Sequence, residues 1–200
     1  MTRGSGQRGF SMIEMMVVVS VALILFAFGV PALNNIMRAQ RIAGDVREIV
    51  GSIALAKMRA ASDFTQARVY VDLSANTFQV EVCKTKQPAT FPTCGSWNLT
   101  EDGAQALSTG VRMGYGSLGS PPTGTQAAIG QAAQCGSTAN TACITFNSRG
   151  IPIDPSNNNP SGEGAIYITN GDSVYGATVS ALGAVRTWRS TAKTAGWVQI

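Results

Sequence analysis

The stretch FSMIEMMVVVSVALILFAFGVPAL, residues 10–33, decides how the rest of the chain is read. It carries a single charge, Glu14, and is otherwise almost wholly apolar. Its 24 residues, as a helix rising about 1.5 Å per residue, would reach about 36 Å, enough to cross a hydrocarbon core of roughly 30 Å. A cleaved secretory signal has an apolar region of only about 7–15 residues, closed by small residues. The length and Glu14 therefore argue for a retained span. Ahead of it, residues 1–9 (MTRGSGQRG) are short, polar and basic through Arg3 and Arg8. Arg38 and Arg41 flank the other end, so basic flanks alone leave the orientation open.

Outward from this span, composition narrows the chemistry. The chain has 200 residues, of which 44% are hydrophobic and 13% charged, against roughly 25% charged in ordinary soluble domains. It contains no histidine. Ser-His-Asp and Cys-His devices, an HExxH zinc site and a histidine general base are all excluded. No metal site or cofactor motif is found, and no enzyme is expected. Gly114-Tyr115-Gly116-Ser117-Leu118-Gly119 lacks a following Lys-Ser/Thr and a βαβ context, so it reads as loop. The net charge of +4 suits nucleic acid or anionic surfaces without demanding either.

The four cysteines fall as Cys83, Cys94, Cys135 and Cys143. Three pairings are open, and free buried thiols are the alternative. Nearest-neighbour bridges close the shortest loops and are preferred. Disulfides imply an oxidising compartment, which orients the span by placing the rest of the chain outside the cytoplasm.

Glu14 lies one helical turn beyond Gly9-Phe10, and a carboxylate within an apolar span marks function. The segment RGFSMIEMMVVVSVALILFAFGVP resembles the class III signal of type IV prepilins and type II secretion pseudopilins. The shared features are a short basic leader ending in Gly, then Phe, a Glu near the cleavage point, and a proline where Pro31 stands. The resemblance implies that a prepilin peptidase cuts between Gly9 and Phe10 and methylates the Phe10 amine. It also implies assembly with other pilins by an inner-membrane platform and a cytoplasmic ATPase, with Glu14 and Pro31 serving assembly. Loss of Arg3 and Arg8 with the leader would lower the charge from +4 to +2.

The helix is expected to continue to about residue 61. Ile42, Val46, Ile49 and Ile53 recur at three- and four-residue steps among Arg47, Glu48, Lys57 and Arg59. Beyond Asp63 the pattern alternates. Residues 68–73 and 77–82 read as a hairpin, residues 142–147 and 164–169 as strands, and residues 174–179 and 184–188 as a closing hairpin. Residues 103–142 read as long loops with one short strand. The expected fold is α+β, a long helix packed on a small β-rich head arranged as a sandwich or split sheet. The expected organisation is a leader at 1–9, a membrane and assembly half at 10–33, an amphipathic half at 34–62, and a periplasmic head at 63–200.

The tail resembles the GspH/FimT branch of pilin-like proteins. Its Phe-ending strand with an Arg-Gly turn is matched by Phe146-Asn147-Ser148-Arg149-Gly150, and its Gly-x-Val-Arg element by Gly183-Ala184-Val185-Arg186. Ala184 stands where an arginine is common, and a further segment runs to Ile200. Some members of that branch bind DNA through arginines in this region, which singles out Arg186, Trp188, Arg189 and Lys193. On an alternating strand Arg186 and Trp188 share a face that Arg189 does not. The resemblance implies a minor pilin or pseudopilin anchored once in the bacterial inner membrane. A tip-exposed DNA receptor is the alternative.

Overall fold

The computed structural model describes residues 11–84, 94–100, 103–154, 157–192 and 196–200, the side chains at 31 and 32 apart. The fold is α+β: one helix, α1 (Met12–Ser62), precedes a head of antiparallel strands. The chain divides into two units, Met1–Arg38 and Ala39–Ile200. The described residues of the first belong almost wholly to α1, a helix long and apolar enough to cross a membrane.

In the second unit α1 carries one buried stripe, Ile42, Val46, Ile49, Ile53, Ala56 and Ala60, each no more than 2% exposed. Alternate steps of four and three keep these side chains on one face of a 3.6-residue helix, with Arg41, Arg47 and Glu48 facing water. The helix closes with the Thr65 amide donating to the Ala60 carbonyl at 3.1 Å, which turns the chain back over the last turn. Phe64 occupies the left-handed position of that closure, with φ 51°.

Two sheets receive the stripe. In the first, the order is β3 (Trp97–Leu99), β2 (Thr77–Cys83), β1 (Ala67–Asp72), β6 (Thr141–Phe146) and β7 (Pro152–Ile153), with β4 (Gln105–Ala106) also paired to β2. Val69 faces Val80 on one side and Ile144 on the other, so every second residue of these strands points at the helix. On the opposite face Arg68 pairs with Glu81 at 2.6 Å and lies 4.0 Å over the Trp97 ring.

The second sheet runs β11 (Val198–Gln199), β10 (Val185–Thr191), β9 (Ser173–Val179), β8 (Gly164–Thr169) and β5 (Arg112–Met113). Ile166, Ile168, Tyr175, Ala177 and Val179 join the helix stripe in one core. The other face of β8 and β9 is covered as well: Leu118, Tyr115, Ile129 and Trp197 close over Ala165, Tyr167 and Val174. Both faces of these strands are therefore dry, which accounts for their unbroken burial.

Both hairpins and the two middle strands follow the sequence expectation. The loop region at 103–142 holds two short strands, β4 and β5, where one was expected. Strands β3, β7 and β11 were not anticipated, because two or three residues show no period. The bridges are Cys83–Cys94 and Cys135–Cys143, the nearest-neighbour pairing. The second fastens the covering loop to β6.

Candidate functional site

The first functional region is the start of α1. Glu14 sits in its first turn and is exposed. Large apolar side chains on all sides of the helix are exposed with it, from Met12 at 84% to Met37 at 42%. A continuous apolar surface of this kind calls for cover by lipid or by other helices. The backbone stays helical through Pro31. Gly9 and Phe10 lie outside the described residues.

Residues 4–30 match the family model described as the prokaryotic N-terminal methylation motif. The chain carries a prepilin-type signal. No curated protein and no solved structure matches it significantly. The signal supports a type IV pilin-like protein, with processing by prepilin peptidase and assembly with other pilins. Joined to the apolar helix it is consistent with inner-membrane anchoring, and it suggests a structural subunit rather than an enzyme.

The C-terminal residues singled out in the sequence are not gathered into one surface. Arg186 and Trp188 register with Thr178 and Gly176, while Arg189 registers with Tyr175. Side chains alternate along a strand, so Arg186 and Arg189 emerge on opposite faces of the sheet. Arg189 lies 5.8 Å from the Tyr175 ring centroid, on the helix-side face. Trp188 is half-buried and donates its indole N–H to Thr178 Oγ1 at 2.9 Å. Lys193 lies outside the described residues.

The two glycine elements, in contrast, meet. Lys57 of α1 donates from Nζ to the Gly183 carbonyl at 2.9 Å. A Cβ on Gly150 would stand 3.1 Å from Lys57 Cε, and one on Gly183 only 2.7 Å from the Gly150 carbonyl oxygen. Their φ angles, 71° and 74°, lie in the region that favours glycine. The Arg-Gly turn and the Gly-x-Val-Arg turn thus close on each other around one lysine of the helix. Sequence reading placed Lys57 only as a polar residue between core positions; no local pattern signals its partners.

Two further contacts escaped the sequence reading. Asp45, 4% exposed on the helix, accepts from the Ser108 amide at 3.1 Å and its hydroxyl at 2.7 Å, pinning the loop after β4 to the core. Tyr167 is fully buried and donates its hydroxyl to Gln126 at 2.8 Å. Burial pushes its phenol up from 10.0 to about 12. Gln131 donates to the Tyr167 carbonyl at 2.8 Å and accepts its amide at 2.9 Å, so one side chain completes the strand edge there.

Proposed function

We propose that the protein is a minor pilin or pseudopilin of the GspH/FimT branch, a structural subunit of a type IV pilus or type II secretion pseudopilus. The observation that carries this reading is the methylation motif on a helix whose outer part is apolar and exposed among the described residues. In this reading residues 1–9 form the leader, 10–33 the membrane and assembly half, 34–62 the amphipathic half and 63–200 a periplasmic head. An inner-membrane platform lifts the subunit from the lipid into the filament. The convergence of Gly150 and Gly183 on Lys57 supports the branch, since both turns then have a structural reason to end in glycine.

The role of Glu14 follows from electrostatics. A mature, methylated Phe10 amine would be cationic at the edge of an apolar bundle. A carboxylate from a neighbouring helix can neutralise it where unpaired charge is costly. Pro31 would serve assembly as a weak point in the helix, since it lacks the amide that closes the helical turn. The DNA-receptor reading has less support, because Arg186 and Arg189 leave opposite faces of one sheet.

Mass spectrometry of the protein from its native host tests the signal, with Phe10 as the methylated N-terminus. An intact Met1 or cleavage near residue 32 would overturn it. Glu14→Val should leave the head folded and membrane-inserted yet exclude the subunit from filaments. Normal incorporation of that variant would refute the assembly role.

A further inference from the structure

The two disulfides differ in how they meet solvent. Cys135 and Cys143 are 4% and 3% exposed. Cys143 lies in β6, between β1 and β7 of the first sheet, and donates its amide to the Ala133 carbonyl at 2.8 Å. Cys135 donates its amide to Thr141 Oγ1 at 3.2 Å. Cys143 also borders a cleft lined by the covering loop, yet keeps only that 3% open. The Cys83–Cys94 bridge stands at the edge of the same sheet. Cys83 ends β2 and is 5% exposed, but Cys94 precedes the edge strand β3 and is half-buried, with Gly95 and Ser96 exposed beside it. Cys94 Sγ lies 3.0 Å from the Ser96 carbonyl oxygen in an exposed setting.

We propose that Cys94 is a thiol-exchange site, the sulfur at which an external dithiol opens this bridge while Cys135–Cys143 stays closed. Exchange is set by access and by which sulfur is attacked, and the thiolate arrives from the side opposite the bond it breaks. The more open residue of the four is therefore the one taken. The incoming thiolate bonds to Cys94 Sγ, the Cys83–Cys94 bond breaks, and Cys83 leaves as a thiolate. The second thiolate of the dithiol then attacks its own partner sulfur in the mixed disulfide and releases Cys94. The bridge gains two electrons, the dithiol is oxidised to a disulfide, and the two protons it gives up end on Cys83 and Cys94. Opening there leaves the other fastenings of this edge in place: β3 is still paired with β2, the Lys84 amide still donates to the Ser96 carbonyl at 3.0 Å, and Arg68 still lies 4.0 Å over Trp97. Neither Cys83 nor Cys94 belongs to the two packed clusters. One bridge is thus a permanent fastening of the loop over Tyr167, and the other a reversible one at an edge. The assignment does not depend on the pilin reading.

The test exposes the full chain in nonionic detergent micelles to dithiothreitol, well below the thermal midpoint of the head. Samples are quenched at intervals with N-ethylmaleimide, and the labelled cysteines are read by peptide mass spectrometry. Cys83 and Cys94 should be labelled together, at a rate at least about tenfold above that of Cys135 and Cys143. Far-UV circular dichroism should be unchanged when only the first pair is labelled. Reduced glutathione, a monothiol, identifies the sulfur attacked. After the same quench it should be found on Cys94 at least about fivefold more often than on Cys83. Equal rates at the two bridges, which global unfolding would give, would overturn the proposal. So would earlier opening of Cys135–Cys143, loss of the circular dichroism with the first pair, or glutathione mainly on Cys83.

Discussion

The two units of the chain treat apolar side chains in opposite ways. Between Met12 and Met37 the large apolar side chains are exposed whichever way they point, whereas between Ile42 and Ala60 one stripe of them is sealed and Met58, off that stripe, is exposed. Both stretches are helical and apolar-rich. The difference is periodicity. A helix greasy on every side is matched to surroundings supplied by something other than its own chain, while a striped helix is matched to one packed partner. Segments of one helix can thus be selected by two solvents.

The sharpest way to break this comparison is to place a charge in each unit. Ile53→Asp puts an unpaired carboxylate into the dry core and should abolish head folding, a cost above about 4 kcal/mol. Ile24→Asp, at a residue 59% exposed, should leave the thermal midpoint of the head unchanged and act only on membrane retention or assembly. Calorimetry of both variants in the same detergent checks this. A head destabilised equally by both would show that the outer helix contributes to its stability.

Within the head, the junction on Lys57 can be challenged next. Gly183→Ala sets a Cβ 2.7 Å from a backbone oxygen at a φ of 74°, and neither can yield cheaply. Chemical denaturation should show a loss of about 2–3 kcal/mol. Gly44→Ala, with open space around it and a helical backbone, should gain up to about 1 kcal/mol instead. Similar losses at both positions would remove the special standing of the Gly150–Gly183 contact.

Sheet faces offer a second contrast, testable with pH. Tyr167 lies on the loop-covered face, its phenol raised from 10.0 to about 12 by burial. The unfolded chain releases that proton near pH 10 while the folded chain keeps it. The stability contributed is therefore complete below pH 10 and is lost as pH rises from 10 toward 12. Tyr167→Phe should flatten the slope of stability against pH in that window relative to the unsubstituted protein. An unchanged slope in that variant would sink the assignment.

What the sequence made legible was whatever has a period or a fixed spacing. The stripe from Ile42 to Ile53, the alternation in β1 and β2, and the short cysteine separations each impose a geometry that few arrangements satisfy. The covering loop had no such signature. Its attachment rests on Gln126 and Gln131 reaching Tyr167 across more than thirty residues, and amide side chains at those positions look like any polar loop. The space for the Tyr167 ring comes from Gly176, where a Cβ would stand 2.6 Å from a ring carbon. In sequence that glycine is only a gap in a strand. At the C-terminal cluster, alternation already separated Arg189 from Arg186, and β10 keeps that alternation.

The smallest expected effect lies just after the helix, at Phe64. Its φ of 51° is a conformation glycine adopts freely and an aromatic residue does not, and its side chain is 79% exposed. Little packing is therefore lost by removing the ring, and backbone strain is relieved. Against this, glycine widens the unfolded ensemble. The two terms oppose each other, and the strain term wins because the left-handed penalty for an ordinary side chain is of order 1 kcal/mol. Phe64→Gly should raise stability by about 0.5 kcal/mol in equilibrium denaturation, and Phe64→Ala, which keeps the strain and loses the ring, should not. A loss in Phe64→Gly beyond about 1 kcal/mol would mean that the exposed ring makes contacts that stabilise the head, and would place Phe64 with the packed unit rather than with surface awaiting a partner.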